Sequence, residues 1–359
     1  MTPAAASTSA APAPVRPLAG TDTAMVSAEL AVSALAGVQR TPRVAFDGTN
    51  FLVVWSGDTP GLATDIYGAI VGQDGTIVVP SFAITAVVRD QLVPDVAFDG
   101  SNYLVVWQDA RTGFGNDVYG AFVGTDGTVR QTNGFPISSA VNAQETPRVA
   151  FDGTSGRYLV VWSDARSGIS FDVYGNRIDD EPIMVQLLDG NATAGGLVLS
   201  AGANAELTPA VAAGPGLFLV AWTDFRDEQD IYGTRVGALT AGASAVLDPA
   251  GRAFATAAGA QNLGDVAHDG VARQFIATWA DQRGGSSLDA YGARIDETGA
   301  LRDGPAGSGG ILISTFAGSS ASGLDIAVNA GFYLPVWASS ENAGDIVAAR
   351  VLADGTVVD

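Results

Sequence analysis

The chain of 359 residues contains no cysteine, and its 18 basic residues, all arginine, face 38 carboxylates, for a formal net charge of −20. The lack of cysteine excludes disulfides, thiolate chemistry and cysteine-ligated zinc. The acidic charge disfavours nucleic acid and anionic membranes as partners, although it could attract cations or a basic partner. No apolar run is long enough to cross a bilayer, so we expect no membrane insertion.

The N-terminal residues 1–27 are rich in alanine, proline and serine. Such a segment has little apolar surface to bury, so we expect a disordered tail or linker there and a single domain over residues 28–359. The segment does not resemble a signal peptide, because no apolar core follows a basic start.

A unit of four short strands follows, and its clearest copy is the second. Pro94–Phe98 is extended and apolar, Tyr103–Trp107 is a β-branched and aromatic run without charge, and Val118–Val123 is a third strand. Gly134–Ser138 is a weaker fourth strand, whose proline suits a sheet edge. Because Asp99-Gly100 marks a tight turn, the pattern predicts antiparallel strands joined by hairpins, with the middle strands covered on both faces.

The unit recurs six times. The valine of its first strand, replaced by isoleucine in the last copy, recurs at intervals of 52, 53, 62, 55 and 60 residues by subtraction. All six tryptophans end the second strand: Trp55, Trp107, Trp162, Trp222, Trp279 and Trp337. One such sheet cannot bury both of its faces alone, whereas a ring of six can. The sequence therefore predicts an all-β fold, a six-bladed β-propeller with four-stranded antiparallel blades.

The sixth unit stops after its third strand, at residue 359. Near the N-terminus, Gln39–Val44 matches Gln144–Val149 almost residue for residue, and at the same offset Leu30–Ala34 falls on the fourth strand of the second unit. We therefore expect this N-terminal strand to complete the last blade and close the ring, which removes an open edge.

The most polar recurring feature is the loop after each tryptophan. It carries an Asp-x-Arg motif and then a second aspartate, in four sets: Asp109, Arg111 and Asp117; Asp164, Arg166 and Asp172; Asp224, Arg226 and Asp230; Asp281, Arg283 and Asp289. We predict that each arginine bridges the two carboxylates of its own loop through charge-assisted hydrogen bonds.

The first unit carries Asp58 and Asp65 without the arginine. Two carboxylates could hold Ca²⁺ through oxygen ligands, so this loop is the candidate metal site, although no EF-hand-type run occurs. We assign no other cofactor.

Enzymatic hypotheses have less support. His268, the single histidine, lies at a position that is phenylalanine in other units, which favours a structural role, and no Gly-x-Ser-x-Gly motif accompanies it. The Ser-x-Asp-x-Gly-x-x-Trp box of sialidases is also absent. We therefore assign no catalytic residue. A glycosidase with paired carboxylates stays open, because aspartates are plentiful and their separations are unknown.

The order of elements resembles the propeller repeats of TolB-type proteins. The matching residues are Asp152-Gly153, Tyr158 to Trp162, Ser163 to Arg166 and Asp172 to Tyr174. This resemblance implies an exported platform for protein interactions without catalysis of its own. The leading interpretation is therefore a non-catalytic propeller, secreted or on the cell surface, that engages a protein partner through one face. The alternatives are a carbohydrate-binding module and a glycoside-cleaving enzyme.

Overall fold

The computed structural model describes residues 30–58, 63–180, 185–240, 242–285, 287–314, 321–329, 331–340 and 345–358. The expected tail, residues 1–27, lies outside this part. Residues 32–359 form one compact unit, and its described residues are almost entirely β-strands, apart from a 3₁₀ turn at Gly242–Ala245. Over the same residues, none of the helical segments has the length and apolar character that crossing a membrane requires.

The strands form six antiparallel sheets, which confirms the six-bladed propeller. Blade 1 contains β1 (Gln39–Phe46), β2 (Asn50–Asp58), β3 (Thr64–Gly72) and β4 (Ile77–Thr85). Blade 2 contains β5 (Gln91–Phe98), β6 (Asn102–Asp109), β7 (Asp117–Gly124) and β8 (Phe135–Ser138). Blade 3 contains β9 (Gln144–Asp152), β10 (Arg157–Asp164), β11 (Asp172–Asp180), β12 (Val185–Leu187) and β13 (Leu197–Ser200).

The remaining blades follow the same order. Blade 4 contains β14 (Glu206–Gly214), β15 (Leu217–Asp224), β16 (Asp230–Gly237) and β17 (Arg252–Ala255). Blade 5 contains β18 (Gln261–Asp269), β19 (Gln274–Asp281), β20 (Asp289–Asp296) and β21 (Ile311–Ser314). Blade 6 contains β22 (Ala321–Asn329), β23 (Phe332–Ser339), β24 (Ile346–Ala348) and β25 (Val351–Leu352).

The core lies between the blades. Five apolar clusters fill the spaces from blade 1 to blade 6, each built from residues of two neighbouring sheets. This arrangement explains why the second strands are apolar on both faces: β6 and β10 are buried along almost their whole length.

The glycine of the third strand makes room for the fourth strand. A Cβ atom at Gly120 would lie 2.9 Å from the side chain of Ile137, and one at Gly233 would lie 2.3 Å from Phe254. The indole of Trp107 covers a different glycine, Gly134, whose φ of +71° begins the fourth strand. Four tryptophans thus pack over the glycine at the entry to the outer strand: Trp107, Trp162, Trp222 and Trp279.

Blade 6 differs from the expectation for ring closure. β24 and β25 both pair with β23 and share the position of a third strand, and residues 30–34 lie in no strand. β24 is only three residues long and so offers a short edge for pairing. Within the described residues no apolar cluster joins blade 6 to blade 1, and Val44, Phe46 and Leu334 are 59%, 43% and 43% exposed.

Candidate functional site: the axial channel

The innermost strands of the six blades surround a cavity of about 820 Å³ on the propeller axis. The residue just before the repeated valine or isoleucine of β1, β5, β9, β18 and β22 lines this cavity and is charged in each case: Arg43, Asp95, Arg148, Asp265 and Asp325. In blade 4 the same position holds Ala210. Two cations from blades 1 and 3 and three carboxylates from blades 2, 5 and 6 therefore meet in one channel.

A recurrent backbone distortion precedes each of these positions. The register between the first and second strand shifts at Leu92/Asp95 in blade 2, and equivalent shifts occur in the other five blades. Within the shift, Val93, Thr41, Thr146 and Thr208 have φ values between 49° and 52°. Such values are strained for β-branched residues, and a bulge of this kind re-aims the following side chain.

Asp95 lies between the two arginines. Its Oδ1 is 3.7 Å from Nε of Arg43, and its Oδ2 accepts a hydrogen bond of 2.8 Å from the backbone N–H of Val149. Burial raises the pKa of Asp95, and the charges of Arg148 and Arg43 and the backbone donors oppose that rise. These donors favour the charged form of a carboxylate that burial alone would neutralise.

Asp265 in blade 5 and Asp325 in blade 6 form a carboxyl pair on the other side of the ring from Asp95. Burial deep in the channel raises the pKa of Asp265 well above its usual value, and a hydrogen bond and charge repulsion from Asp325 add to the rise. The charge of Asp95 contributes as well, although more weakly. Because neighbouring carboxyls disfavour the ionisation of both together, this pair favours a state in which one of them keeps its proton.

Sequence reasoning did not single out these five residues. The first strands were interpreted only as apolar and extended. The available signal was a charged residue in the innermost strand, directly before a buried valine, in five of the six copies.

The repeated loops confirm one half of the predicted network. Each arginine forms an ion pair of 2.6 Å with the first aspartate: Arg111 with Asp109, Arg166 with Asp164, Arg226 with Asp224 and Arg283 with Asp281. The same aspartate accepts a hydrogen bond from the indole N–H, at 2.8 Å from Trp107 to Asp109. This indole contact was not predicted.

The other half of that prediction is wrong. The second aspartates, Asp117, Asp172, Asp230 and Asp289, form no ion pair with these arginines in the part of the chain that the structure describes. Each guanidinium instead lies over a tyrosine ring, for example 3.9 Å from the centroid of Tyr119. Asp117 accepts a hydrogen bond from the hydroxyl of Thr112, and Asp172 accepts one from the hydroxyl of Ser167.

The candidate metal loop of blade 1 has an arginine after all. Asp58 lies 3.3 Å from Arg40 and accepts a hydrogen bond from the hydroxyl of Thr64. Asp65 is buried, and burial followed by the charge of Asp90 raises its pKa to about 6. The described residues contain no group of three or more potential ligands from histidine, cysteine, aspartate or glutamate. Calcium binding by Asp58 and Asp65 stays a prediction.

His268 lies outside the channel. Its ring packs against Phe275 at a centroid distance of 4.6 Å, and Nε2 is 3.6 Å from Glu297. Burial lowers the pKa of His268 more than the charge of Glu297 raises it.

No protein-family model matches the chain, and no curated protein matches it in sequence. Among solved structures it is similar to a thermostable family-43 glycoside hydrolase, at 10% identity over 77% of this chain and 96% of that one, with a TM-score of 0.43. A Trypanosoma rangeli sialidase mutant with trans-sialidase activity matches at 10% identity, 90% and 55% coverage, and a TM-score of 0.47. A prolyl endopeptidase matches at 12%, with 89% and 40% coverage, and a TM-score of 0.48.

At these identities the similarities indicate the propeller architecture alone. The leading sequence interpretation, a non-catalytic scaffold for a protein partner, is nevertheless wrong against this set of neighbours, in which glycoside hydrolases recur. The fold half of the TolB resemblance stands as a six-bladed propeller, and none of these matches supports the TolB assignment itself.

Proposed function

We propose that the protein acts on carbohydrate and cleaves glycosidic bonds in its axial channel. The observation that carries this proposal is that Asp95 and the paired carboxyls of Asp265 and Asp325 line one cavity. Glycoside cleavage usually needs such a pair, one carboxyl to protonate the leaving oxygen and one to act as base or nucleophile.

Each channel residue has a part in this scheme. Asp265 is the general acid in this proposal, because burial and Asp325 raise its pKa and so favour its protonated form. Asp325 is the hydrogen-bond partner of Asp265 and acts through it. Asp95 is the second carboxylate: burial raises its pKa, and the charge of Arg148, the N–H of Val149 and the charge of Arg43 oppose that rise.

Two further features support a functional channel. The cavity of about 820 Å³ lies within the usual size range of small-molecule sites. The strained β-branched residues Val93, Thr146 and Thr208 lie in the inner strands that surround this cavity. Strain of this kind clusters at functional sites. A secreted or cell-surface location suits a polysaccharide substrate and stays a prediction.

The test is hydrolysis of a panel of polysaccharides and oligosaccharides by the full chain, followed through released reducing ends. Asp265→Asn should lower the rate by roughly 100-fold or more, the usual contribution of a general acid. The matched control is Asp126→Asn, because Asp126 lies in an exposed turn and only caps Thr128. Binding without hydrolysis would reduce the protein to a carbohydrate-binding module. The absence of both binding and hydrolysis would refute the proposal.

A further inference from the structure

A second set of buried oxygens lies where neighbouring blades meet. The first residue of the inner strand in blades 2 to 5 is almost completely buried: Gln91, Gln144, Glu206 and Gln261. Its backbone N–H donates to the residue before the loop aspartate of the previous blade, from Gln144 to Asn116 at 2.7 Å and from Glu206 to Phe171 at 2.8 Å. Each junction therefore places this side chain beside a buried aspartate.

The hydrogen bonds of the glutamine amides leave their oxygens unpaired within the described part of the chain. Nε2 of Gln144 donates to the carbonyl of Asn142 at 3.0 Å, and Nε2 of Gln261 donates to Ala257 at 3.0 Å. The amide oxygens therefore point the other way, and they have no hydrogen-bond partner among the described residues. Buried acceptors without a donor are rare, and a bound water or ion commonly accounts for them.

The junction of blades 3 and 4 is different because Glu206 replaces the glutamine. This residue is 2% exposed, and its Oε2 has no partner in the described part of the chain. Burial raises the pKa of Glu206 to about 7, and the charges of Asp224 and Asp172 act in the same direction. Two carboxylates, Glu206 and Asp172, thus lie together in a buried place.

The nearby arginines form their ion pairs with the first aspartates of their loops, and their charges act on the pair only as smaller effects, Arg226 on Glu206 and Arg166 on Asp172. Arg226 gives two side-chain hydrogen bonds to Asp224, at 2.9 and 2.6 Å, and stacks on Tyr232. The other groups in contact with the pair are hydroxyls, Ser200 with Glu206 and Ser167 with Asp172. The carboxylates and hydroxyls here offer only hard oxygen atoms, the ligands that Ca²⁺ selects. Water can complete the flexible coordination shell of the ion.

We propose that Asp172 and Glu206 bind one Ca²⁺ ion between blades 3 and 4. The unpartnered oxygen of Glu206 and the carboxylate of Asp172 are the negatively charged ligands that the protein supplies. The ion links the two blades. The site is independent of the axial channel, so its function is to hold the ring rather than to act on a substrate.

The chain supplies its own control variant. Glu206→Gln introduces the residue that three other junctions carry, so the fold should tolerate it. Asp227→Asn removes a negative charge at an exposed position of the loop beside Arg226 in blade 4 and leaves the pair intact. The wild-type chain and both variants are stripped with EDTA, desalted and titrated with CaCl₂ in a calorimeter at about pH 7.5, and their Tm is measured with and without about 1 mM CaCl₂.

We expect one ion per wild-type chain and a Tm rise of several degrees, as for any ligand that binds only the folded state. Asp227→Asn should match the wild type, and Glu206→Gln should lose both effects. The binding heat of the wild type should also change with the buffer, because Ca²⁺ displaces the proton that Glu206 partly holds at this pH. Absence of heat and Tm change in the wild type would overturn the proposal, and so would equal binding by Glu206→Gln.

Discussion

Aspartates of the same loop have opposite electrostatic surroundings. Asp164 is fully buried, yet Arg166 and the indole N–H of Trp162 saturate it with donors at 2.6 and 2.7 Å. Asp172, eight residues on by subtraction, is also buried, and burial raises its pKa. The difference lies in the guanidinium of Arg166, whose Nη2 donates to Asp164 and whose plane stacks on Tyr174 at 4.0 Å.

Replacing Arg166 with alanine should therefore destabilise the protein strongly. The change leaves the carboxylate of Asp164 buried with its main partner removed, which costs roughly 3 kcal/mol in comparable pairs. A fall in Tm measured by calorimetry checks this. Arg273→Ala is the control, because its ion pair with Glu297 is 70% exposed on the arginine side and should contribute little. Equal Tm values for the two variants would contradict the account.

Single residues also mark the limit of sequence reasoning. The Asp-x-Arg spacing predicted the ion pairs, because the two residues are close along the chain. It could not predict that the second aspartate stays apart, since that depends on the ring of Tyr119 occupying the space beside Arg111. The channel carboxylates Asp265 and Asp325 are 60 residues apart by subtraction, and their contact follows only from the closure of blades around an axis.

At the scale of the strand, the blade depends on close approach between its third and fourth strands. The recurring turns, apolar runs and tryptophans were sufficient to predict the four strands and their hairpins. The role of the strand glycine could not be read from the sequence, because the approach of Phe254 to Gly233 is set by the fourth strand, whose sequence is the least regular of the four.

Gly233→Ala should consequently disrupt blade 4. The new Cβ would lie 2.3 Å from the ring of Phe254 and 2.6 Å from the carbonyl oxygen of Val220, and the backbone cannot move away without breaking the sheet. Overpacking of this kind costs about 1–3 kcal/mol or more. Gly270→Ala, where nothing lies within 4 Å, is the matched control. Denaturant unfolding that places both variants at the wild-type midpoint would show that the strands have room to spare.

At the scale of the whole molecule, the blade junctions collect carboxyls with raised pKa values. Burial raises the pKa of Asp65, Asp117 and Asp230 to about 6 and that of Glu206 to about 7. In the unfolded chain these groups titrate near 4. Their protonated forms therefore favour folding below that pH, and this stability is lost as the pH rises through 6 and 7.

The propeller should thus be more stable in mild acid than at slightly alkaline pH when no divalent cation is present. Tm in EDTA should fall from about pH 5 to about pH 8, and Glu206→Gln should flatten the upper part of the curve. The net charge of −20 acts in the same direction, because ionisation of the junction carboxyls adds to the repulsion. A Tm that climbs over this range would contradict the buried, protonated junctions.

The ring brings charged residues of five blades into one channel, and the proposed function depends on that meeting. The most direct measurement is a crystal structure of Asp265→Asn soaked with an oligosaccharide that the wild type cleaves. The account predicts a sugar in the axial channel, with its glycosidic oxygen within hydrogen-bond distance of residue 265 and Asp95 near the same sugar. A sugar bound only on the outer rim, with the channel filled by water, would contradict it.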